Sequence, residues 1–172
     1  TTNTMYAVTA PSQAYNEPVY GNLCKVDLGT GALTEVVTLN APIHALAADG
    51  NGTLYGIGGM LFSDGSSMPT KLYTIDAATG QCTEMTQYTQ GLASVNICSD
   101  GGMGSFKPQM TYDFTTDRLY ISATASDKAL AQSGTNSYGL VMIQLGDSPA
   151  VSNLGKMAIE IRGTVKTGML HL

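Results

Sequence analysis

The 172 residues include no tryptophan, three cysteines, two histidines and eight basic side chains. Each shortage excludes something. No two of the eight Lys and Arg are adjacent, and the net charge is −5. Nucleic-acid binding needs a basic stripe to neutralise phosphates, and attraction to an anionic membrane needs a polybasic segment. The sequence has neither. No apolar run approaches the roughly 20 residues of a membrane span. Charged residues are 12% of the chain, about half the usual share of roughly 25%. Long solvated helices, which need Glu, Lys and Arg outside, are therefore not expected. Cys24, Cys82 and Cys98 are odd in number, so no complete disulfide framework can form. Buried thiols acting as small hydrophobes are expected, with a single Cys82–Cys98 bridge as the alternative. No CxxC occurs and both histidines lie far from the cysteines, so no metal site is expected. No cofactor is expected.

What the chain does have is glycine (20), tyrosine (9) and an apolar share of 43%. That mixture suits short strands joined by tight turns around a packed core. A repeat then organises it. Met5-Tyr6-Ala7-Val8, Leu54-Tyr55-Gly56-Ile57 and Leu119-Tyr120-Ile121-Ser122 share one pattern. A second element follows each: Leu23 to Thr34, Leu72 to Thr83 and Leu140 to Pro149. Tyr6 to Tyr55 is 49 residues, as is Val26 to Ile75, and Tyr55 to Tyr120 is 65. Periods of about 40 to 50 with four strands each predict an all-β fold, a β-propeller of about three antiparallel blades. Asp49-Gly50-Asn51-Gly52 predicts a hairpin turn. Asp76 to Gly80 predicts another, with Asp bonding backbone N–H groups and Gly supplying positive φ.

The strands predicted for blade 1 are b, c and d only, within 4–39. Blade 2 takes 43–87, an insertion takes 88–108, and blade 3 takes 109–155. A lone inner strand follows at 157–162. No helix is expected beyond a turn near 127–132. A chain opening Thr1-Thr2-Asn3-Thr4, without initiator Met or signal peptide, is expected to be a mature product or part of a longer protein.

The elements Leu72 to Thr83 (LYxIDxxTGxxT) and Ala45 to Ile57 (ALAxDxxGxLYGI) resemble repeats of secreted bacterial propellers, within the broader YVTN and quinoprotein-like superfamily. The resemblance covers nearly the whole chain and implies a secreted, periplasmic or cell-surface setting. Its motifs make turns and packing, so they imply fold more than activity.

Candidate binding residues follow from position. His44 precedes an inner strand and can face the channel mouth as base or ligand; the plainer reading is a hydrogen-bonded loop histidine. Glu160 and Arg162 flank the last inner strand, where they line the channel or form a salt bridge. Lys107 follows a glycine-rich run, Gly101 to Phe106, that lacks the phosphate-binding order GxxxxGK[ST]. The longest loops are expected at Ala10 to Gly21, Gly59 to Thr70, Tyr88 to Lys107 and Ser126 to Tyr138, and Tyr15, Tyr88 and Tyr138, in or beside them, can stack on a sugar ring. Tyr6, Tyr55 and Tyr120 recur at one position and are read as packing. Asp49 and Asn51 fall far short of calcium's six to eight oxygens. No catalytic constellation emerges from the spacing.

The leading expectation is a non-catalytic binding or scaffold module that recognises a protein or glycan through one propeller face. The alternative is a fragment of a larger propeller enzyme (hydrolase, lyase or quinoprotein-like oxidoreductase). Propellers close at four to eight blades. Three blades therefore imply part of a longer ring, or a homodimer closing a six-bladed one. Met157 to Ile161 would then supply the inner strand that blade 1 lacks.

Overall fold

The structure is a computed structural model that describes residues 4–9, 11–14, 17–61, 67–93, 95–96, 108–125 and 138–156. It is mostly β: three antiparallel sheets and a small hairpin, none of them closed. The first sheet holds β1 (Met5–Val8), with the hairpin β2 (Ser12–Ala14) and β3 (Glu17–Val19) inserted before β4 (Asn22–Val26) and β5 (Leu33–Thr38). The second runs in order through β6 (Ile43–Ala48), β7 (Leu54–Leu61), β8 (Ser67–Ile75) and β9 (Cys82–Glu84). Two helical turns follow, a 3₁₀ turn at Thr86–Tyr88 and α1 (Thr89–Leu92). The third sheet comprises β10 (Val95–Asn96), β11 (Gln109–Asp113), β12 (Arg118–Ala125), β13 (Tyr138–Gln144) and β14 (Ala150–Lys156).

The sequence repeat becomes a repeat of register. Met5 pairs with Val26, Leu54 with Ile75 and Leu119 with Ile143, and the neighbouring pairs follow in step. The turn chemistry repeats too. Asp27 Oδ1 accepts the N–H groups of Gly29 and Thr30, while the Gly31 N–H donates to Asp27 O. Asp76 Oδ1 does the same for Ala78 and Thr79, and the Gly80 N–H donates to Asp76 O. These bonds hold both carboxyls below the usual range; the largest contribution comes from the Thr30 N–H for Asp27 and the Ala78 N–H for Asp76. Side-chain oxygens here replace the bonds that a reversing chain cannot make to itself.

Strand alternation then sorts the core. The second sheet is apolar on both faces. Leu54, Tyr73, Ile75 and Cys82 pack toward the first sheet, with Leu23, Leu39, Tyr6 and Val8. Tyr55, Ile57 and Leu72 pack toward the third, with Leu119, Ile121, Val141 and Ile143. Tyr55 also stacks on Tyr112 of β11, centroids 6.4 Å apart. The Tyr112 hydroxyl donates to Asp117 Oδ1 at 2.6 Å, a bond that pushes its pKa up to about 12. A continuous run of apolar residues on both faces marks a strand with sheets on either side, and the second sheet has that position.

Three expectations change. The second sheet's last strand ends at Glu84, not 87, because residues 86–92 coil into helical turns. There, Tyr88 and Leu92 are buried between the second and third sheets. The loop expected at 59–70 is mostly a longer hairpin, β7 running to Leu61 and β8 starting at Ser67. The loop expected at 10–21 contains the β2–β3 hairpin. Cys24 and Cys82 are buried free thiols, as expected, and the alternative Cys82–Cys98 bridge is not formed. Burial is the first cause that raises the pKa of each thiol. The turn considered near 127–132, the inner strand considered at 157–162 and Cys98 lie outside the described residues.

Candidate functional site

The innermost strands of the three sheets meet: β6 lies against β1 on one side and β11 on the other. Between them is a pocket of about 220 Å³, lined by Tyr6, Ala7 and Val8, by His44, Ala45 and Leu46, and by Pro108, Gln109 and Met110. One short stretch of each strand thus forms one wall.

The wall made by β1 differs from the others. In an antiparallel ladder, successive residues turn their N–H and C=O alternately toward and away from a given neighbour. The Thr9 N–H donates to Asn22 O at 3.0 Å, so Thr9, Ala7 and Met5 face β4. Tyr6 and Val8 face the other way, toward the pocket. The corresponding residues of the second sheet are Tyr55 and Ile57, and these pair with Ala47 and Ala45 of β6. In the third sheet the corresponding Tyr120 and Ser122 pair with Thr111 and Gln109 of β11. Among the described residues no strand pairs with that edge of β1. The pocket therefore occupies the place where the other two sheets carry their inner strand.

His44 reaches this wall through a β-bulge. Ile43 pairs with Gly58 and Ala45 with Ile57, leaving His44 as the extra residue. A bulge of this kind re-aims a side chain. It also returns Ile43 to the face of Leu46, against the first sheet. The His44 Nε2–H donates to Gly59 O at 2.7 Å, since a carbonyl can only accept. Burial lowers the pKa of the ring, and the Gly59 bond partly opposes that. Burial thus favours the uncharged ring. His44 lies within β6 and in the pocket lining, and its bond to Gly59 gives it the hydrogen-bonded role of the plainer reading.

Of the other expected binding residues, Tyr88 is the one whose side chain is described, and it is not part of the pocket lining. Tyr88 is 1% exposed and its hydroxyl donates to Gln144 O at 3.0 Å, so its ring is core and offers no face to a sugar. Its loop is one where an aromatic caps a core seam. Tyr138 opens β13 opposite Thr124. Tyr15, Lys107, Glu160 and Arg162 lie outside the described residues. Reasoning from side chains passed over Tyr6, Val8 and Gln109, because an open strand edge is a main-chain feature. The signal for it was the strand count: b, c and d without a. Among the described residues, no group of three or more His, Cys, Asp or Glu is placed to hold a metal ion.

No protein-family model matches the chain, and no curated protein matches it either.

Proposed function

We propose that the chain is a non-catalytic binding module of β-propeller type, which takes an extended protein segment beside β1. Three antiparallel sheets of three, four and five strands, sharing one register and meeting at their inner strands, support the propeller reading. The observation that carries the binding reading is the open edge of β1 at the pocket. Tyr6 and Val8 turn two N–H donors and two C=O acceptors into it. An extended segment meets such an edge with main-chain bonds, and pockets for alternate side chains add specificity. Val8, Leu46 and Met110 supply apolar contacts, and His44 and Gln109 supply polar ones. The low charge and turn-rich repeat support a secreted or cell-surface setting.

The parity of β1 supplies the test. Proline lacks an N–H and is tolerated in an edge strand where that N–H points away from the ladder. Val8→Pro is expected to keep the fold and to weaken binding of extended apolar peptides at least about 10-fold, the worth of roughly one good hydrogen bond. Ala7→Pro removes a bond to β4 and is expected to cost about 1–3 kcal/mol of stability. Titration of the full chain with strand-forming peptides and with neutral oligosaccharides, read by backbone amide NMR shifts, checks both. Oligosaccharide binding that Val8→Pro leaves unchanged would overturn the proposal.

A further inference from the structure

The register repeat lets each sheet's faces be compared position by position. One cross-strand row recurs: Met5–Val26–Leu33 in the first sheet, Leu54–Ile75–Cys82 in the second, Leu119–Ile143–Val151 in the third. In the second sheet this row faces the first, and Leu54, Ile75 and Cys82 are each 7% exposed. In the third it faces the second, with Leu119 and Ile143 at 0%. The row therefore packs on the preceding sheet. In the first sheet there is no preceding sheet among the described residues, and Met5 and Leu33 stand 53% and 57% exposed.

The opposite end of the stack has the complementary property. The second sheet turns Tyr55, Ile57 and Leu72 toward its follower. The third sheet's outward face, by alternation with Leu119, Ile121, Val141 and Ile143, carries Tyr120, Leu140, Met142 and Leu154. The first three are half-buried and Leu154 is 52% exposed. One chain thus has both halves of an interface it already uses twice internally, and its own two halves lie at opposite ends of the stack.

From this we infer that the outer face of the first sheet docks on the outer face of the third sheet of a second copy. A contact between two different faces either closes into a ring or runs on as a filament. Propellers close at four to eight units, and six is the one multiple of three in that range. Two copies then satisfy each other twice around a two-fold axis. The inference rests on the propeller reading of the units but not on what occupies the pocket beside β1.

Light scattering after size exclusion, with the full chain at about 10–100 μM, tests it; that range suits interfaces of ordinary affinity. The expected mass is twice the 17.9 kDa of one chain. Leu33→Arg and Leu154→Arg lie on different faces, at exposed positions that the single chain tolerates, as unchanged circular dichroism would verify. Each is expected to weaken the dimer about 100-fold, a typical effect at an interface centre. Mixing the two variants is expected to restore some dimer, because the pair retains one intact contact. A monomeric wild type overturns the inference; if that monomer still binds peptides in a Val8→Pro-sensitive way, the binding proposal stands alone. A dimer that survives Leu154→Arg also overturns it, since the first-sheet faces would then be pairing with each other. A ladder of higher oligomers overturns the ring.

Discussion

Tyr88→Ala is expected to destabilise the chain by about 3–5 kcal/mol, the range for emptying a large aromatic site in a core. Tyr88 packs with Leu72 and Leu92 in the core cluster that also holds Leu119, Val141 and Ile143. Its hydroxyl reaches across to Gln144 O on β13. It thus joins the second sheet to the third, and the cavity left by alanine would open the seam between them. Two further bonds tie this segment down: Thr89 Oγ1 donates to Glu84 Oε1 at 2.8 Å, and the Lys71 ammonium pairs with Glu84 at 2.6 Å. Held in this way, the helical turns cannot readily collapse into the void. Tyr88→Phe keeps the ring and loses the hydroxyl bond, so it should cost only about 1 kcal/mol. At roughly 2–4 °C per kcal/mol for a chain of this size, thermal unfolding would separate the two variants clearly. Equal losses for alanine and phenylalanine would mean that the ring does not fill the seam.

Gly80→Ala and Gly31→Ala should differ sharply although their turns are alike. Both glycines have positive φ, +73° and +72°. An alanine in that region costs about 1–2 kcal/mol on backbone sterics alone. At Gly31 nothing lies within 4 Å of an added Cβ, so that is the whole expected cost. At Gly80 the Cβ would stand 2.2 Å from Thr38 O, a backbone atom at the end of β5. The second sheet's turn docks on the first sheet here: the Asn40 N–H donates to Gly80 O, and the Cys82 N–H donates to Asn40 Oδ1 at 2.7 Å. Forcing the two segments apart adds about 1–3 kcal/mol of overpacking. The expected total for Gly80→Ala is therefore about 2–5 kcal/mol, measurable by denaturant melts of both variants side by side. Equal costs at the two glycines would show that the first and second sheets are not docked at this turn.

Much of the sheet structure was legible because the repeat carries it. Leu72-Tyr73-Thr74-Ile75 alternates, and the structure sends Leu72 and Tyr73 to opposite faces, as the pattern requires. The Asp-to-Gly turns were readable because their geometry is local: one carboxylate, two N–H groups, one positive φ. Residues 86–92 were misread as strand and loop. Their helical turns are short, with no side-chain cap, and are held by burial of Tyr88 and Leu92 rather than by propensity. The site was the harder part. Of the residues singled out for binding, His44 lines the pocket, and a bulge invisible in the sequence aims it. The β1 edge has no side-chain signature at all, since main-chain donors are the same in every residue.

Amide hydrogen exchange along β1 tests the open edge most directly, because exchange reports which N–H groups are bonded within the fold. With no ligand present, Ala7 and Thr9 are predicted to exchange slowly, and Tyr6 and Val8 quickly. Tyr55 and Ile57, the same positions in the second sheet, should be slow. An extended peptide that fills the pocket should slow Tyr6 and Val8. If those two amides are already as protected as Tyr55 and Ile57 in the free protein, the edge is not open, and the binding account fails.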